Sequence, residues 1–226
     1  ITCTIPMKKY YSIRFRFLAL ATLLGSTLLA QAELLKVRLG YPTALHGEVA
    51  KVLEKTDIPK RHGLQVEATF FQYGPPQIEA LSAKSLDVAL TSLVPTASFL
   101  AKQPGAVAIV AALGNSGHGL IVPDDSAISS LEDFKGKTIA VAYGSDSHAD
   151  LAVALKKAGL DPKKDVTLVN VPPNEQATVL ERKLADGVVI RQPALTKLIE
   201  KSGAREIKRW PHHLVAIARR EFLDAN

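Results

Sequence analysis

Cysteine is nearly missing from this chain: Cys3 is the only one in 226 residues. One thiol cannot staple a disulfide scaffold. Signatures of several catalytic classes are missing as well. There is no G-x-S-x-G elbow, no P-loop lysine motif and no paired-carboxylate motif. His46, His62, His118, His148, His212 and His213 include no H-x-x-x-H pair, and the adjacent His212-His213 reads as loop or hinge rather than metal site. No cofactor or metal is expected. Long linkers, low-complexity tracts and short-period repeats are absent too. With 47% apolar and 22% charged residues, the composition excludes a disordered chain and a multi-span membrane protein.

What is present in excess is positive charge. The formal charge is +6, from 28 bases against 22 acids, and the sequence pI is near 9.4. Its location decides its meaning. Lys8, Lys9, Arg14 and Arg16 fall in the first 32 residues, which hold no acid. An apolar run from Phe17 to Leu29 follows, closed by Ala30-Gln31-Ala32. A basic start, a short apolar core and an A-x-A site together read as a secretory signal peptide cleaved after Ala32, preceded by an upstream extension before Met7. Beyond it, 24 bases face 22 acids, so the charge argument for nucleic acid falls away. Arg205, Lys208, Arg209, Arg219 and Arg220 read as a solvated face.

From residue 33 onward, β-branched runs alternate with helical patterns. Leu35–Leu39, Leu64–Phe71, Leu86–Leu90 and Ala106–Leu113 read as strands, separated by helices over Glu48–Lys60, Gln77–Lys84 and Thr96–Lys102. A second set has strands at Gly119–Val122, Lys137–Ala142, Val166–Val169, Gly187–Ile190 and Leu214–Ala218, with helices at Ser147–Lys157, Asn174–Leu184 and Pro193–Lys201. Ser130 reads as the N-cap of a further helix. This alternation predicts an α/β fold with mostly parallel sheets in two lobes, the chain crossing at Gly114-Asn115-Ser116-Gly117.

In such sheets the loops at the carboxyl ends of strands line the ligand crevice. Here they are Tyr41–Gly47, Tyr73–Pro76, Thr91–Pro95, Tyr143–His148, Pro172–Glu175 and Arg191–Pro193. Most combine Gly or Pro with a hydroxyl or amide residue just before a helix. Helix N-termini carry free N–H groups and partial positive charge, so several converging on one cleft suit an anion or a polar solute. Ser92, Ser145 and Asn174 have the alternative role of capping their own helices.

Ser130-Leu131-Glu132-Asp133-Phe134-Lys135-Gly136-Lys137-Thr138-Ile139-Ala140-Val141 resembles the S-L-x-D-L-K-G-K-x-I-A-V block of extracytoplasmic solute-binding proteins of the nitrate, sulfonate and taurine type. Gly144-Ser145-x-x-His148 resembles that family's G-S-x-x-H turn, and Leu86-Asp87-Val88-Ala89 its D-[IV]-[AG] strand. The likeness runs from Leu35 to Asn226. It implies a periplasmic binding protein type II fold, with 33–113 and 213–226 as lobe 1 and 114–212 as lobe 2. The family continues with further helices, so lobe 1 is expected to be incomplete.

The resemblance further implies a periplasmic, monomeric component of an ABC importer, with a permease and its ATPase as partners, no nucleic acid and no catalysis. The same bilobed fold also hosts pyrimidine-precursor synthases, dehydratases and sensor input domains. Binding positions would map onto Thr43, His46, Gly74, Ser92, Asn115, Ser116, Gly144, Ser145 and His148, with Asn174 and Gln192 from the strand-end loops. Where many members have Trp-Glu-Pro, this chain has Arg191-Gln192-Pro193. Losing that carboxylate points away from a zwitterion, towards an anionic or neutral organic solute.

Overall fold

The computed structural model describes residues 33–226; the leader expected from the sequence lies outside them. Strand β1 (Leu35–Pro42) leads into helices α1 (Leu45–Lys55) and α2 (Ile58–Arg61), then β2 (Leu64–Phe71) and α3 (Gly74–Ser82). The expected Glu48–Lys60 helix is two helices, because Pro59 cannot extend a helix from behind and instead occupies the first turn of α2. Next come β3 (Val88–Ser92), α4 (Leu93–Lys102) and β4 (Val107–Val122). The remainder is β5 (Thr138–Val141), α5 (Asp146–Lys157), β6 (Thr167–Asn170), α6 (Gln176–Glu181), β7 (Gly187–Arg191), α7 (Ala194–Ser202), β8 (Arg205–Arg219) and α8 (Arg220–Ala225).

The eight strands of the described residues form one mixed sheet in the order β2-β1-β3-β8-β4-β7-β5-β6. β1 runs parallel to β2 and β3, and β5 runs parallel to β6 and β7. Between these two parallel blocks stand β8 and β4, antiparallel to each other and to the block each one meets. The expected α/β alternation is therefore observed, with one parallel block before Gly114–Gly117 and the other after it.

Two expectations need correcting. Ala106–Leu113 and Gly119–Val122 are one strand, β4, which passes straight through Gly114–Gly117. The last strand is not confined to Leu214–Ala218: β8 starts at Arg205 and takes in Trp210, Pro211, His212 and His213. These residues pair in register, Asn115 with His213, Ser116 with His212, Gly117 with Pro211 and His118 with Trp210. The periodicity that marks a strand is lost because each strand crosses two environments. β4 is mostly exposed from Ile109 to Asn115 and buried from His118 to Val122. It is also bulged between Ala112 and Gly114, where Gly114 takes φ +127°, a conformation costly for any other residue.

The expected helix at Ser130 is only a short 3-10 turn, Glu132–Phe134. Asp133 reaches back, and its Oδ2 accepts hydrogen bonds from Ser129 N and Ser130 N at 2.9 Å. The turn fixes Phe134, fully buried among Leu120, Ile139, Leu151, Leu155 and Val189. Gly187 is small for this reason. A Cβ there would lie 2.9 Å from Phe134 Cε1 and 3.2 Å from Ile121 O. Gly187→Ala is therefore expected to cost about 1–3 kcal/mol by overpacking, read as a lower urea midpoint with unchanged slope.

The other block is pinned by Asp87. Its carboxylate accepts from Arg38 Nε at 2.9 Å, Arg38 Nη2 at 2.6 Å, Arg38 N at 3.0 Å and Arg219 Nη2 at 2.8 Å. One buried acid thereby ties β1 and β8 to the start of β3.

Candidate ligand-binding cleft

The strand ends bring the site together. Arg191 is the last residue of β7 and lies opposite His118 on β4, which lies opposite Trp210 on β8. Residues directly paired across strands share a face of the sheet, so the three side chains form one row. His212, two residues beyond Trp210, is on the same face and opposite Ser116. From the first turn of α1, His46 reaches the same place. The His46 and His212 ring centroids are 6.0 Å apart, His118 and His212 5.7 Å, and His118 and Trp210 5.6 Å. All three histidines are buried.

Electrostatics give this cage its character. Burial pushes the Arg191 guanidinium down to about 10, with Asp146 partly restoring it, so it stays charged at neutral pH. Burial and then Arg191 push His46 down to about 3 and His118 to about 4. Burial, Arg191 and the neighbouring histidines push His212 to about 2. The result is one cation walled by neutral imidazoles. Arg191 Nη2, His46 Nδ1 and both ring nitrogens of His118 are buried without a hydrogen-bond partner. Buried polar atoms are rarely left so, and a cluster of them marks where a polar guest would sit.

Asp146, in the first turn of α5, bridges the two blocks. Its carboxylate accepts a hydrogen bond from Ser92 Oγ, and another from Val94 N in the first turn of α4 at 3.3 Å. His212 Nε2 stands 3.7 Å from the same carboxylate. Nearby, Gly144 approaches Pro75 of α3 so closely that a Cβ would lie 3.1 Å from Pro75 Cγ. The edges of the cleft thus touch. Ser92, His212 and Asp146 match a catalytic triad by residue type, but the order is wrong. The serine hydroxyl is bonded to the carboxylate, and no imidazole is hydrogen-bonded to it as base.

The residues expected from sequence fall into four groups. His46 and Ser92 face the cage. Thr43, Ser116 and Gln192 line a 250 Å³ cavity with Glu48 and Pro193, close by in sequence and pairing to His46, His212 and Arg191. Gly74 is buried at the start of α3, against Pro95 and Thr91. The rest have other local partners. Ser145 Oγ donates to Ala142 O at 2.6 Å. Gly144 N donates to His148 Nδ1 at 3.3 Å, and the His148 ring stacks on Tyr143 at 4.6 Å. His148 borders a separate cavity with Ala152, Lys156 and Leu168. Asn115 Oδ1 is 2.7 Å from His213 Nδ1, and Asn174 is exposed in the turn before α6.

Arg191, His118, His212 and Asp146 are not among the expected binding positions. Arg191 ends a strand, and that was its one legible signal. His118 and His212 sit within strands, where no loop pattern marks them. Among the described residues no group of three His, Cys, Asp or Glu side chains is placed to hold a metal ion, and Arg191 would repel one.

An eight-stranded sheet of this order, with a cleft at the strand ends between two parallel blocks, defines the fold of the periplasmic binding proteins. The match extends to the alkanesulfonate-binding protein SsuA from Xanthomonas axonopodis pv. citri bound to MOPS, at a TM-score of 0.71 and 23% identity, covering 86% of this chain and 68% of that one. A Candida albicans gene product (CA3427) with the generic periplasmic binding protein fold matches at a TM-score of 0.71 and 14% identity, over 85% and 66% of the two chains.

The chain belongs to the NMT1-like family, which it matches over residues 30–221. It is 31% identical over 204 residues to the taurine-binding periplasmic protein of Escherichia coli (strain K12), covering 86% of this chain and 62% of that protein. The chain spans roughly half the length of the curated relatives it matches, from 43% to 62%.

Proposed function

We propose that this protein is the solute-binding component of an ABC importer, and that it captures a small organic anion of the sulfonate class in the cleft around Arg191. The observation that carries this reading is a buried, charged guanidinium with an unpartnered Nη2 among neutral histidines. A guanidinium offers planar, bidentate recognition of an oxyanion, and the neutral imidazoles of His46 and His212 add polar edges without further charge. The similarity to a taurine-binding periplasmic protein supports the same class.

In this reading, residues 33–113 and 213–226 form lobe 1 and residues 114–212 form lobe 2. The lobes rotate about the two crossings, near Gly114–Gly117 and Arg209–His213. Solute held by both lobes favours the closed form, and only that difference in affinity drives closure. The cycle is capture and release without turnover, ending at a permease with its ATPase. The leader read from the sequence would carry the chain to the periplasm.

Thermal-shift titration tests the reading. Alkanesulfonates are expected to raise the melting temperature in proportion to the logarithm of their concentration, and neutral pyrimidines to have little effect. Stabilisation by pyrimidines but by no sulfonate, carboxylate or nitrate would overturn it.

A further inference from the structure

The geometry points to His118 as the residue that couples anion capture in this cleft to the uptake of one proton. This deepens the reading of the cleft as an anion site and rests on it. His118 Nε2 lies 3.0 Å from Asp150 Oδ2, beside the carboxylate though without a formed hydrogen bond. The proton of the neutral ring therefore belongs on Nε2. Nδ1 is then a lone pair, buried and without a partner. A lone pair repels an anion. Only the imidazolium, a donor at both nitrogens, can serve Asp150 on one side and an anionic solute on the other.

The charges around the ring set the direction. Arg191 faces it from β7 and His212 from β8, with His46 of α1 packed beyond His212; Asp150 approaches it from α5, and Asp146 of the same helix stands beside His212. In the empty cleft, burial and Arg191 hold the ring neutral. A bound anion offsets Arg191, and Asp150, its carboxyl pKa raised by burial and by Asp146, stands beside Nε2 to receive the ring's N–H. The added proton comes from solvent and joins the Nδ1 lone pair; no bond of the solute forms or breaks.

Folded-state protonation is thus easier with anion bound than without, so affinity rises as pH falls. If the bound ring returns towards its ordinary 6.5 from about 4, affinity climbs by up to about tenfold per pH unit between those limits. Titration calorimetry with 1-propanesulfonate is the test, run from pH 7.5 to pH 5 in buffers of different ionisation enthalpy. This probe stays fully ionised throughout, so any proton taken up belongs to the protein. Net uptake approaching one proton near pH 5.5, abolished in His118→Gln and kept in His148→Gln, is the expected result. The buffer dependence of the unsubstituted protein decides the question even if His118→Gln folds poorly. Binding without proton uptake, or uptake that survives in His118→Gln, overturns the coupling alone. No binding at any pH overturns the anion site and the coupling with it.

Discussion

Arg191→Met is expected to make the unliganded protein more stable and to abolish its response to anions. On balance Arg191 loses by folding, because burial outweighs the attraction of Asp146. Its guanidinium leaves water, keeps one donor unpartnered, and falls from the ordinary 12.5 to about 10. For a base, a lowered folded value means that the charged form is disfavoured by the fold. That cost is fully present at neutral pH and is relieved only as pH rises through 10 towards 12.5. It amounts to about 3 kcal/mol as an order of magnitude. Methionine fills similar length with an apolar, flexible chain and carries no such cost. A net gain of about 1–3 kcal/mol follows, or several degrees in melting temperature. Binding should suffer in the opposite sense, by at least about thirtyfold, since truncating a buried charge partner costs about 2–5 kcal/mol. A variant that melts lower and still binds sulfonate would contradict both halves. The residue is thus unfavourable to the empty fold, which is understandable only if something else occupies the cleft.

Asp87→Ala is expected to have the largest effect on folding. It removes the shared acceptor of Arg38 and Arg219 and of one backbone N–H, leaving Arg38 without a carboxylate and Arg219 with only the exposed Glu221. Breaking a buried pair in this way costs about 3–5 kcal/mol, which should lower the melting temperature by roughly 10 °C. Burial alone would raise the carboxyl's pKa, but the bonds from Arg38 and Arg219 outweigh it and bring it from 3.8 down to about 2. A depressed carboxyl stabilises the fold above its unfolded value and loses that contribution as pH falls. About 2 kcal/mol of the gap between parent and variant is therefore present above pH 4 and disappears towards pH 2. Urea midpoints measured at pH 7 and pH 3 check this; a gap that widens in acid would refute the assignment.

The two parallel blocks were legible in the sequence because their signals are local. Lys137–Ala142 is an apolar run bounded by Gly136 and Gly144, and α5 follows with its acidic start and basic end. The carboxyl-end loops follow from that alternation by topology, and they lead to His46, Ser92 and the neighbourhood of Arg191. The cage itself was not legible. His118 and His212 come from the two long strands whose pattern changes midway, from an exposed stretch to a buried one or the reverse. Their proximity to Arg191 depends on pairings between segments far apart in the chain. Asp146 looked like one more acid at a helix start. It returns a carboxylate to the cleft after the loss of the family's Glu, yet it is already engaged by Ser92 and Val94. A solute ammonium would have to compete for it.

The position of β8 bears on how the chain can fold at all. β8 lies between β3 and β4, although it follows all the other described strands in the sequence. Until it arrives, β2-β1-β3 and β4-β7-β5-β6 are separate fragments, each with an unpaired edge. Their joining requires closing a loop of more than a hundred residues on the β3 side, a large entropic cost before any reward. A growing chain therefore cannot complete its sheet until residue 219 is available. Such a delay keeps the polypeptide open and extended late into synthesis, the form in which a chain can still be threaded through a narrow pore.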